Sequence, residues 1–134
     1  WLAKSGVRTI LVRGPLAQPI SEIPFGVEVE VAPRSFPSLM AGCTFAVTNA
    51  GTTALEAMAL GKAIHVLPQT NAERATAERF LADGFILGLG LENLAVPDPL
   101  QAERTGAGAH SAVDGQGAPR VARLLINIMR GELV

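Results

Sequence analysis

Two consecutive stretches, residues 44–61 and 63–84, restrict the fold of this chain more than any other feature. Each runs from a short β-type apolar segment, through a turn, into a helix-length segment that closes on glycine. In the first, Thr44-Phe45-Ala46-Val47-Thr48 leads through Asn49-Ala50-Gly51 into a helix from about Thr53 to Leu60, with Gly61 as its stop. In the second, Ala63-Ile64-His65-Val66-Leu67 ends at Pro68. Asn71 then caps a helix that reaches about Ala82, and Asp83-Gly84 forms the exit turn. Strands alternating with helices predict parallel strands joined by crossover helices.

The pattern extends to both sides. Thr9-Ile10-Leu11-Val12 reads as a first strand ended by Gly14-Pro15, and Val27-Glu28-Val29-Glu30-Val31 alternates as a strand with one wet face. Ser35 opens a short helix to Ala41 with Pro37 in its first turn. Phe85-Ile86-Leu87 is a short last strand. The expected fold class is α/β: a Rossmann-like, mostly parallel sheet of four to five strands with helices on both faces. From Gly88 to Pro119 the periodicity gives way to Gly, Ala, Pro and Asp, and residues 105–117 are expected to form a Gly-rich loop. Pro119 then marks a helix start, and Val121, Leu124, Leu125 and Ile128 fall on one apolar stripe. Trp1 to Gly6 reads as the tail of a helix that stops at Gly6. The triplet Ala-Glu-Arg recurs at irregular spacing, which is surface composition rather than a structural repeat.

With 134 residues the chain fits a single domain spanning 1–134. It carries one Trp, five Phe and no Tyr, so Ala, Leu, Val and Ile must fill its core. A net charge of −1, with scattered basic residues, excludes a nucleic-acid groove and a polybasic membrane patch as partners. No run approaches the roughly 18 apolar residues of an integral membrane segment. Cys43 is the single cysteine, lies in an apolar run and reads as a small buried side chain. One unpaired cysteine fits a reducing cytoplasm, which is the expected location.

The chemistry-bearing segment is Asn49-Ala50-Gly51-Thr52-Thr53. Ligands of parallel α/β sheets bind beyond the carboxyl ends of the strands, where helices begin. Gly51 lets a ligand approach the main chain, the following amides sit at the positive end of a helix dipole, and two threonine hydroxyls add donors. That combination suits a diphosphate. Glu56, one turn on, could accept from the two hydroxyls of a ribose. Thr53-Ala54-Leu55-Glu56 is equally a capping box that satisfies the helix's own amides. A second candidate follows the next strand. Gln69 and Asn71 could bond sugar hydroxyls, although Asn71 also serves as a plain N-cap. His65, among apolar neighbours in a strand, reads as a hydrogen-bonded core or interface histidine. His110 has no partner evident in sequence. No spacing resembles a metal site, no Ser-His-Asp arrangement can be argued, and no cofactor is implied.

The run from Phe45 to Pro68 resembles the carboxy-terminal half of GT-B-fold enzymes: strand, small-Gly-Ser/Thr-Thr, a Glu three residues on, a helix ending in Gly and a strand ending in Pro. Within that group it is most similar to the UDP-sugar hydrolases of pseudaminic acid biosynthesis and the related spore-coat polysaccharide proteins (glycosyltransferase family 28 C-terminal-like). Asn71, the stretch Asp83-Gly84-Phe85-Ile86-Leu87-Gly88-Leu89-Gly90, and Asp114-Gly115-Gln116-Gly117-Ala118-Pro119-Arg120-Val121 carry the narrower likeness. Ala72 departs from the Gln those relatives carry.

The resemblance covers roughly residues 8–130. It implies that Gly51, Thr52 and Thr53 hold a diphosphate, that Glu56 bonds the ribose and that Asn71 lies near the sugar. It implies a UDP-sugar or related nucleotide-sugar as ligand, in a transferase or hydrolase of surface polysaccharide or nonulosonate biosynthesis. It also implies an amino-terminal GT-B domain as partner, absent from this sequence, which carries most of the catalytic groups, so the isolated chain is expected to be inactive. The alternatives are half of a UDP-sugar 2-epimerase, which shares the fold, and a non-catalytic nucleotide- or protein-binding module.

Overall fold

The computed structural model describes residues 5–132, so the N-terminal helix tail expected at 1–6 lies mostly outside the described residues. The chain order is β1 (Thr9–Arg13), β2 (Val27–Val31), α1 (Phe36–Ala41), β3 (Phe45–Thr48), α2 (Thr52–Ala59), β4 (Ala63–Val66), α3 (Asn71–Ala82), β5 (Gly88–Leu89), α4 (Pro99–Ala112) and α5 (Gly117–Met129). All strand pairs are parallel, and the protein is a mixed α/β chain. The strands form two sheets, one of two strands in the order β1-β2 and one of three in the order β3-β4-β5. This corrects the single sheet of four to five strands. β2 explains part of the difference. Its Glu28 is bound to Arg8 by a two-bond ion pair at 2.7 and 2.8 Å, and Glu30 shares that face and is exposed. A strand with one charged face cannot be covered on both sides as a central parallel strand is.

β1 and β2 are parallel neighbours without a helix between them. Their connection, residues 14–26, carries Pro15, Pro19 and Pro24, each lacking an amide donor, and no helix forms there. The core lies around the other sheet. β4 is its central strand, and Ala63, Ile64, His65 and Val66 are all buried. Met40 of α1, Ala54, Ala57 and Met58 of α2, Ala77 of α3, Ala109 of α4 and Leu89 of β5 close around it. Burying Ile64 and Val66 contributes about 1.5–3 kcal/mol each.

Helix ends follow local chemistry. Gly61, at φ +67°, ends α2, with the Lys62 amide donating to the Ala57 carbonyl at 2.9 Å. Gly84 does the same for α3, where the Phe85 amide reaches the Phe80 carbonyl at 2.8 Å. Such positive φ values suit glycine, which has no Cβ to clash. The expected strand at 85–87 is displaced to Gly88–Leu89. Phe85 and Ile86 turn into the core instead, and the ladder begins with the Leu87 amide on the Ile64 carbonyl at 2.7 Å.

The largest correction is α4, which occupies much of the stretch expected to be loop. Asp98 caps it by accepting from the Gln101 amide at 2.9 Å, and Pro99 stands in its first turn. Its buried residues are Ala102, Gly106 and Ala109, spaced as one helical face but all small. That face lies against α2 and β4. A Cβ at position 106 would run into the Gly61 carbonyl, so the glycine is what permits the close approach.

Asp114 then accepts from the Gln116 amide at 2.9 Å and from Arg120 at 2.7 Å, which ties the turn before α5 to the helix. The α5 stripe exists as expected, but Val121, Leu124, Leu125 and Ile128 are each more than half exposed. No helix among the described residues is long and apolar enough to cross a membrane.

Candidate functional site

Parallel strands put all their carboxyl ends on one edge. In this sheet they finish in step, with Thr48 paired to Val66 and Val66 to Leu89. The Leu67 amide still donates to the Thr48 carbonyl at 2.8 Å, and the Gly90 amide to the Val66 carbonyl at 3.0 Å. Past that line lie the turn 49–51, the turn 67–70 and Gly90. The segments singled out in sequence after β3 and β4 are therefore neighbours.

At the first turn, Gly51 is the residue before α2 and no side chain caps the helix. The capping box that the spacing allowed is not formed. Neither Thr53 nor Glu56 supplies the cap, and the first-turn amides of a helix have no intrahelical acceptor. Thr52 is exposed and Thr53 half-buried. Gly51 is extended, with φ −100°, so its conformation does not demand glycine. Space does. A Cβ there would stand 3.3 Å from the Asn49 side-chain nitrogen, tighter than ordinary contact.

At the second turn, Asn71 is not the cap. Thr70 caps α3, its hydroxyl accepting from the Glu73 amide at 3.1 Å, and Asn71 is the first helical residue, with its side chain exposed. A threonine oxygen one residue earlier has the extended backbone that a cap needs (φ −133°, ψ 162°). Gln69 is exposed and its main-chain amide donates to Glu73 Oε2 at 2.7 Å. Asn49 Nδ2 donates to the other oxygen, Glu73 Oε1, at 2.8 Å.

The structure thus brings Asn49 and Gln69 together through a carboxylate that the site residues read from sequence did not include. Its signal is the spacing Thr70-Asn71-Ala72-Glu73, a capping-box pattern one residue out of register with an Asn71 cap. Here the carboxylate reaches back to Gln69 instead of to the cap itself.

Glu56 stands one turn along α2, exposed, beside a shallow hollow of about 220 Å³ shared with Pro37, Met40, Ala59 and Leu60. A larger, open hollow of about 490 Å³ lies at the far end of α2, against Glu103, Ala107 and His110 of α4. His110 donates from Nδ1 to the Ala59 carbonyl at 2.8 Å, so it is a bridge between helices. His65 is buried and donates from Nε2 to the Gly90 carbonyl at 2.7 Å, since a carbonyl can only accept. This is the hydrogen-bonded core histidine expected from the sequence.

Cys43 is half-buried and donates to the Met40 carbonyl at 3.0 Å, and burial pushes its thiol pKa up against the opposing charge of Lys62. A raised pKa keeps it a neutral thiol and a poor nucleophile. Among the described residues no group of three or more His, Cys, Asp or Glu side chains is placed to hold a metal ion. No family model matches the chain, and a search of curated proteins finds no match either.

Proposed function

We propose that this chain is the nucleotide-sugar-binding domain of a GT-B-type enzyme that transfers or hydrolyses the glycosyl phosphate bond of a UDP-sugar, in surface polysaccharide or nonulosonate biosynthesis. One observation supports it above the others. α2 begins at the carboxyl edge of a parallel sheet with no side-chain cap, although its sequence contains the residues for one. The Ala54 amide donates to the Gly51 carbonyl at 3.1 Å, so the Thr52 and Thr53 amides are those left to a ligand, and the helix dipole favours an anion there.

The diphosphate would take the amides and hydroxyls of Thr52 and Thr53, beside Gly51. The ribose diol would take Glu56, one turn along, and the sugar would lie toward Asn49, Gln69 and Asn71. In this arrangement the domain stabilises the nucleoside diphosphate leaving group by preorganised donors, without a side-chain proton transfer. The chemistry at the sugar carbon then falls to a second domain closing over the same edge.

The direct test is a titration of the folded, isotope-labelled chain with UDP. The amides of residues 51–53 should shift, and Thr53→Val should weaken binding about ten-fold while changing stability little. Millimolar UDP that leaves those amides unmoved in a folded chain would remove the proposal. Glu56→Gln reports on the ribose: it should lower the affinity for UDP more than that for inorganic pyrophosphate. An equal effect on both would show that Glu56 does not contact the ribose.

A further inference from the structure

Glu73 sits in the first turn of α3 and touches both turns that border the proposed site. Its Oε1 accepts from Asn49 Nδ2 at 2.8 Å, on the β3–α2 turn. Its Oε2 accepts from the Gln69 main-chain amide at 2.7 Å, on the β4–α3 turn. These lengths are typical of bonds to an ionised acceptor. The Glu73 main chain is itself held, its amide donating to the Thr70 hydroxyl.

An ionised carboxylate only accepts, so the edge of Asn49 that faces it must be the NH₂ edge. The carboxylate thereby fixes the orientation of the Asn49 amide. The Asn49 oxygen then accepts a long bond from the Thr48 hydroxyl at 3.5 Å and keeps a second lone pair for another donor. The same amide lies against Gly51, since a Cβ at position 51 would be 3.3 Å from Nδ2 and 3.4 Å from Oδ1. Asn49 Oδ1 is therefore an acceptor at the start of α2, next to amides that are donors.

We propose that Glu73 is a positioning residue that fixes Asn49 as a hydrogen-bond acceptor, so that this corner of the site takes a ligand hydroxyl and not a phosphate oxygen. The inference rests on the nucleotide-sugar assignment above and deepens it. A sugar hydroxyl donates to Asn49 Oδ1, whereas the diphosphate, which only accepts, is left to the amides of α2. Neighbouring residues thus sort the two halves of the ligand by hydrogen-bond polarity.

Glu73→Gln separates this role from packing. The new carboxamide oxygen still accepts from the Gln69 amide, while its NH₂ now points at Asn49. The Asn49 amide must turn over to accept, and it then offers N–H to the ligand. The thermal midpoint should stay within about 2 °C of the wild type. The Asn49 side-chain NH₂ resonances should move, and affinity for UDP-glucose should fall about ten-fold with that for inorganic pyrophosphate unchanged.

Combining Asn49→Asp with Glu73→Gln restores an acceptor toward the ligand and should recover most of the UDP-glucose affinity. If the wild type binds UDP-glucose and Glu73→Gln binds it equally well, the positioning role is overturned while the nucleotide-sugar assignment stands. If the wild type binds no UDP-glucose at millimolar concentration, that assignment fails, and the Asn49 NH₂ resonances alone judge Glu73. Movement in Glu73→Gln then supports the orientation, and unmoved resonances overturn it.

Discussion

Gly106 is the residue on which the packing of α4 turns. It is buried, and any Cβ there meets the Gly61 main chain, which cannot move without disturbing the end of α2. Gly106→Ala should therefore destabilise the protein by about 1–3 kcal/mol in urea unfolding, despite alanine's better helix propensity. A stabilised variant would show that α4 does not approach Gly61 this closely. Gly88 is constrained in a similar way: a Cβ there would stand 2.9 Å from the His65 ring, so the glycine and the buried histidine fit as a pair. Neither constraint shows in the sequence, because each depends on a neighbour more than twenty positions away.

At the scale of elements, α3 and α5 show two ways of holding a helix start. Thr70 caps α3 with its side chain, so Thr70→Ala should cost about 0.5–2 kcal/mol, whereas Asn71→Ala at the exposed next position should cost little. Comparing the two variants by thermal unfolding identifies the cap. α5 depends on Asp114, whose carboxyl is held below its ordinary value of 3.8 by the Arg120 guanidinium and the Gln116 amide.

A depressed carboxylate pKa contributes stability that is complete above the ordinary value and is lost as pH falls through the depressed one. The start of α5 should therefore loosen only below about pH 3.8, seen as accelerated amide exchange at residues 116–120. Asp114→Asn should show the looser state at neutral pH as well.

The start of α5 was legible to within two residues, because Pro119 in its first turn acts locally. α4 was not legible, because periodicity is read from large apolar residues and its buried face is Ala102, Gly106 and Ala109. A face of that kind has the composition of a loop and the geometry of a tightly packed helix.

Across the whole molecule, burial is uneven. The sheet around β4 holds the core, whereas none of the buried core cluster comes from β1, β2 or α5. Hydrogen exchange should follow this division, with β4 amides slowest and those of β1, β2 and α5 opening at lower free energy. Ile64→Ala, at a fully buried site, should cost about 2–5 kcal/mol. Leu124→Ser, at a position 54% exposed, should stay within about 1 kcal/mol. Equal costs in urea unfolding would mean that α5 is packed as tightly as β4.

What the sequence determined by itself was governed by contacts a few residues apart. Four of the five strand segments, the stops at Gly61 and Gly84, the parallel α/β class and the turn that follows β3 all follow from periodicity, backbone freedom and local hydrogen bonding. Only the tertiary structure decided which of two local options each site took. Thr53 and Glu56 could have capped α2, yet the helix start is left without a side-chain cap. Asn71 could have capped α3, yet Thr70 does so, and Glu73 is thereby placed to join two turns 24 and 4 residues away. For Glu73 the reason is physical: its local amide partner is joined by Asn49 from 24 residues away, and only the folded chain brings that partner within reach.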